Sequence, residues 1–98
     1  MACIKRKPTL NPLTRMQFPI YCVESWDDRF VYLGGGGGME IQNVIQVYPL
    51  TSSTIFKKED LIEEVKTDKA VPCFMHASLD VNLMAACLRE DVVLYKIN

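Results

Sequence analysis

The sequence predicts an all-β, antiparallel fold built from two related sheets, and three observations carry that expectation. Short runs rich in Val, Ile, Tyr and Phe recur along the chain with turn residues between them. The runs echo one another: Pro19 and Pro72 stand near the start of similar segments 53 residues apart, and Val47-Tyr48 is matched by Leu94-Tyr95 47 residues on. All five glycines fall in one block, Gly34–Gly38, with strand-like sequence on either side.

Taken in order, residues 1–17 carry Pro8 and Pro12 with little periodicity and read as a flexible, basic lead-in. Phe18 to Ser25 favours a strand, with Pro19 at its first turn. Trp26-Asp27-Asp28 makes a polar turn, and Arg29 to Leu33 is the return strand of a hairpin. Ile41 to Leu50 reads as a strand with Ile41, Asn43, Ile45 and Val47 on one face. Pro49 ends it, and Thr51 to Thr54 is a hydroxyl-rich turn. Phe56 to Lys66 fits either a short helix, with Leu61, Ile62 and Val65 together, or a solvent-facing edge strand. Val71 to Ser78 is a strand with an early proline. Leu83 to Leu88 is continuously apolar, as in a strand buried on both faces. Arg89-Glu90-Asp91 turns into the final strand, Val92 to Ile97.

Composition bounds the function. Ninety-eight residues make one small domain, 49% hydrophobic and 23% charged. A net charge of −1 gives no general attraction to nucleic acid, so no nucleic-acid partner is expected. Lys5, Arg6, Lys7 and Arg15 form a basic start that reads as a solvated tail. Cys3, Cys22, Cys73 and Cys87 include no C-x-x-C pair, and His76 is the sole histidine, so zinc-ligand spacing is missing. No secretory leader follows the basic cluster and no apolar run approaches a membrane span. The thiols are therefore expected to be reduced and the chain to face the cytosol. Cys73 and His76 are three apart in a strand and should point to opposite faces, which disfavours a nucleophile pair.

The two echoing segments have the length and strand count of propeller blades, roughly 18–67 and 71–98. In the first, the glycines enlarge the connection between the second and third strands; in the second, that connection is a tight turn. Glycine lacks a Cβ and visits positive φ cheaply, so five together allow a shaped loop that a partner or ion can approach closely. No Lys-Ser/Thr and no helix start follow, so this is not a phosphate-binding P-loop.

The run Arg29 to Gly38, with Ile41 to Tyr48 after it, resembles the first blade of the WD-repeat propeller in guanine-nucleotide exchange factors for Sar-type GTPases. Thr67 to Ser78 and Glu90 to Ile97 are similar to the second blade. The resemblance covers Phe18 to Asn98 and is strongest from Phe30 to Tyr48. It implies an incomplete propeller module, not itself an enzyme, that ejects GDP from a Sar-type small GTPase. The setting it implies is coat-vesicle export at the cytosolic face of the endoplasmic reticulum. It also implies partner contacts through Gly34, Gly35, Gly36, Gly37, Gly38, Ile41 and Asn43, and a potassium ion held on carbonyls of the glycine loop. Membrane attachment would come from a region outside this chain. Two departures stand out: only Met39 and Glu40 separate the glycines from Ile41, and about two blades are present where closure needs at least four. The alternative reading is a generic β-rich protein-interaction domain without exchange activity.

Overall fold

A computed structural model describes residues 9–16, 18–38, 40–68 and 70–98 of the chain. The cluster Lys5-Arg6-Lys7 and Cys3 lie outside the described residues, as does Met39. Among the described residues, seven strands form two antiparallel sheets. The first sheet runs β1 (Ile20–Trp26), β2 (Phe30–Gly35), β3 (Val44–Pro49) and β4 (Glu63–Lys66), each beside the next. The second is β5 (Pro72–Ser78), β6 (Leu83–Leu88) and β7 (Asp91–Lys96). The all-β, antiparallel expectation is met at this level.

Turn chemistry sets the hairpins. Asp27 and Asp28 both take left-handed φ, 55° and 51°, a region that Asp tolerates better than most residues, and the Arg29 N–H closes the turn on the Trp26 carbonyl at 3.1 Å. Between β6 and β7 only Arg89, at φ 59°, is left-handed, while Glu90 beside it is not. The segment between β3 and β4 resolves the helix-or-strand choice. A single 3-10 turn, Lys58–Asp60, precedes β4, whose Val65 pairs Ile45 across the sheet while Glu63, Glu64 and Lys66 face solvent. Four residues with one inward apolar position match an edge strand.

Alternation along the strands sorts side chains into two clusters. Tyr32, Ile45 and Val47 from the first sheet meet Met75, Met84, Ala86 and Leu88 from the second, so the two sheets pack face to face around one core. Val31, Leu33 and Tyr48 point the other way and are covered by the chain's own Met16, Ile20, Phe56 and Leu61. Tyr48 and Phe56 meet edge to face with ring centroids 5.2 Å apart. Thr14 donates to the Ile55 carbonyl at 2.9 Å, so this part of the lead-in is held although it carries no regular element.

The expectation that Leu83 to Leu88 is buried on both faces needs correction. Met84, Ala86 and Leu88 are buried against the first sheet, whereas Leu83, Ala85 and Cys87 on the outer face are only half-buried. An unbroken apolar run cannot reveal that only one face is covered. Across the core, β1 lies against β5, the first strand of each sheet. Their meeting is made by side chains. The Glu24 carboxylate accepts the Ala77 N–H at 2.8 Å, and the Cys22 thiol donates to the Pro72 carbonyl at 3.4 Å. Both strands carry an irregularity at this place, between Ile20 and Cys22 and between Pro72 and Phe74.

Candidate functional site

The glycine block divides into two parts. Gly34 and Gly35 are not in the connection at all; they are the last two residues of β2. Gly34 pairs Cys22 and Ile45, and Gly35 pairs Ile20 and Val44. A Cβ on Gly34 would lie 2.5 Å from the Cys22 sulfur and 2.9 Å from Pro72 Cβ, and one on Gly35 would collide with the Pro19 carbonyl. These two glycines let the first sheet approach its own β1 and the second sheet.

The shaped loop begins at Gly36. Its N–H donates to the Pro19 carbonyl at 3.0 Å, and its φ of 121° suits glycine. Gly37 follows at φ 82°, beside Val71 and Tyr21. The Ile41 N–H then closes on the Gly38 carbonyl at 3.2 Å, with Glu40 left-handed at φ 62° between them. Ile41 and Asn43 were expected in a strand with Ile45 and Val47. Both lie ahead of β3, in the connection, because the ladder with Gly35 starts only at Val44. Ile41 is 39% exposed, an apolar side chain out on the loop.

Asn43 is the residue that holds this loop in shape. Its side-chain oxygen accepts the Gly37 N–H at 2.7 Å, and its side-chain nitrogen donates to the Asp68 carbonyl at 2.8 Å. Its own carbonyl accepts the Thr67 N–H at 2.9 Å. Thr67, buried, donates its hydroxyl to the Ala70 carbonyl at 2.6 Å and so fixes the segment leading into β5. Asn43 thus restrains Gly37 within the loop, and the linker between the sheets is tied to the same residue. Thr67 and Asp68 were not singled out in the sequence. A Thr-Asp pair between strands signals a turn, but nothing local tells which distant residue it will bind.

Of the oxygens that could face a potassium ion, Asn43 Oδ1 and the Gly38 carbonyl each already accept one N–H of the loop.

The remaining chemistry-bearing residues serve the sheet junction. Burial pushes the Cys22 thiol from its ordinary 9.0 up to about 11, with the nearby Cys73 thiol adding to the rise and a backbone hydrogen bond at Gly34 opposing it. His76 Nδ1 stands 3.5 Å from a Glu24 carboxylate oxygen, while the Cys73 thiol contacts the Cys87 carbonyl at 3.4 Å. Cysteine and histidine thus have separate partners, and nothing joins them as nucleophile and base. Cys22, Cys73 and Cys87 are free thiols. Among the described residues, no three His, Cys, Asp or Glu side chains are grouped to hold a metal ion, and no helix is long and apolar enough to cross a membrane. Comparison of the chain with protein-family models, with curated proteins and with solved structures finds no match.

Proposed function

We propose that the chain is a two-blade, WD-repeat-like module whose glycine loop docks a Sar-type small GTPase and favours release of its GDP, as in the exchange factors it resembles. The observation that carries this reading is the Asn43 clamp. It holds a loop of glycines in one conformation and leaves Ile41 exposed on it. An exchange factor needs such a stiff protrusion, because it must bind the nucleotide-free GTPase better than the GDP-bound one. A floppy loop would lose that differential to ordering entropy. Two meander sheets stacked with their first strands side by side also suit neighbouring blades.

The test is GDP release from a Sar-type GTPase, followed with a fluorescent nucleotide. The wild-type chain accelerates release. Ile41→Asp, folded by circular dichroism, loses the acceleration by about tenfold or more, the size of a ~1.4 kcal/mol contact. Asn43→Ala weakens it too and speeds hydrogen exchange at the Gly37 amide. A folded wild-type chain that leaves the release rate unchanged overturns the reading and leaves the generic interaction domain.

A further inference from the structure

The irregularity at the start of β5 does more than bend the strand. Pro72 pairs Leu88 and Phe74 pairs Cys87, so Cys73 is an extra residue with no ladder partner of its own. Neighbours on a regular strand point to opposite faces, which would divide Cys73 and Phe74 between core and surface. The extra residue breaks that alternation. Pro72 is buried beside Gly34 of the first sheet and Met75 lies in the core, while Cys73 and Phe74 between them are both exposed. On β6, Ala86 and Leu88 face the core, and Cys87 between them is half-buried on the outer face. The bulge therefore sets Cys73 and Cys87 on the same side of one sheet.

The two residues are also within bonding reach. At a bulge, two residues of one strand oppose a single residue of its partner; here Cys73 and Phe74 oppose Cys87. Opposed residues of an antiparallel pair have Cα atoms about 4.5–5.5 Å apart, inside the about 4.4–6.8 Å that a disulfide spans. The Cys73 thiol already leans across the strands and donates to the carbonyl of Cys87 itself at 3.4 Å. Both are free thiols. Cys22 is placed differently. It packs in the inner cluster and donates to the Pro72 carbonyl at 3.4 Å from the first sheet. Burial pushes its thiol up to about 11, which leaves little thiolate near neutral pH.

We propose that Cys73 and Cys87 form a reversible redox staple across β5 and β6, closed by exchange with a small-molecule disulfide of the glutathione class. The exposed Cys73, as thiolate, attacks one sulfur of the small disulfide. A bond forms to Cys73, the small disulfide's S–S bond breaks, and one glutathione thiolate leaves. The Cys87 thiolate then attacks the Cys73 sulfur, forms the Cys73–Cys87 bond and displaces the second glutathione. Two protein thiols are oxidised, one small disulfide is reduced to two thiols, and the two protons pass through solvent to the leaving thiolates. The new bond ties the start of β5, just beyond the linker fastened to Asn43, to the end of β6. The pairing is internal to one sheet and stands independently of any GTPase.

The probe is oxidised glutathione, added in excess at pH 8 to the full chain, once folded and once unfolded in urea. Remaining thiols are then alkylated in urea and the chain is cut with trypsin. Cleavage after Lys69 and Arg89 keeps Cys73 and Cys87 together in residues 70–89, and Cys22 falls in residues 16–29. From the folded chain, peptide 70–89 comes out two hydrogens lighter and free of glutathione, and Cys22 is recovered alkylated. From the unfolded chain that selectivity is lost. Cys87→Ser keeps one glutathione on Cys73, the trapped intermediate. The oxidised chain has a higher urea midpoint than the reduced one, because the bridge restricts the unfolded chain, and dithiothreitol reverses both changes. The proposal is overturned if the folded wild-type chain keeps glutathione on Cys73, joins Cys22 to either cysteine, links two chains through Cys73, or leaves peptide 70–89 unmodified. An oxidised chain whose urea midpoint is not raised overturns it as well.

Discussion

Gly34 and Gly36 are both glycine, for different reasons. At Gly34 the need is space: the Cys22 sulfur and Pro72 Cβ occupy the place a side chain would take. At Gly36 the need is a backbone angle, φ 121°, besides close approach of Asn43 and Gln42. Gly38 has neither demand, since its nearest neighbour is the free end of the exposed Ile41 side chain. Urea denaturation separates the cases. Gly34→Ala costs about 1–3 kcal/mol as overpacking, Gly36→Ala costs more than about 1 kcal/mol as backbone strain, and Gly38→Ala stays within about 0.5 kcal/mol. Equal losses at all three would refute this division. Cys22 makes a second residue-scale prediction. Its thiol is raised in the folded chain from 9.0 to about 11, so the unfolded chain loses the proton first. The contribution is complete below pH 9 and is lost as pH rises toward 11. Tyr32 and Tyr48, raised by burial and then by Glu63 and Glu64 respectively, act in the same alkaline direction. The urea midpoint therefore falls above pH 9, and a thiol reagent at pH 8 modifies exposed Cys73 well before Cys22; a flat midpoint, or equal labelling of both, contradicts the assignment. From sequence, the glycine block was legible as a special place. Its division was not, because where β2 ends depends on Cys22 and Ile45 as ladder partners, and neither is adjacent in the chain.

At the scale of elements, strand identity was largely written in local composition. Ile20–Trp26, Phe30–Gly35 and Pro72–Ser78 follow the β-branched and aromatic runs, and the aspartate pair after Trp26 turns as its chemistry suggests. Phe56 to Lys66 was ambiguous because Leu61, Ile62 and Val65 suit a helix as well as a strand. Pairing with β3 decides it: the Ile62 N–H donates to the Val47 carbonyl at 2.8 Å, and Gln46 reaches the Glu64 carboxylate at 2.7 Å. How β1 meets β5 was invisible to sequence. One carboxylate, on Glu24, receives an N–H that β5 would otherwise leave unpaired on its inner edge. Glu24→Ala should cost about 1–3 kcal/mol for the stranded donor. It should also speed hydrogen exchange at the Ala77 amide more than at amides within the β6–β7 ladder. Uniform exchange across the second sheet would mean the carboxylate does not close this edge.

For the molecule as a whole, both outer faces keep apolar residues open. Met16, Phe56 and Leu61 cover part of the far side of the first sheet, where Val23, beside Leu33, stays 61% exposed, and the second sheet leaves Phe74, Val92 and Leu94 well exposed. Repeats in the sequence suggested the layers without saying what each face would meet. The same holds for the glycine loop and the linker into β5, which lie far apart in sequence yet share one fastening in Asn43. A single protease nick within residues 67–70 would leave every strand whole and still slacken the loop. Docking at the loop would then fail while the far-ultraviolet spectrum of the sheets stayed the same.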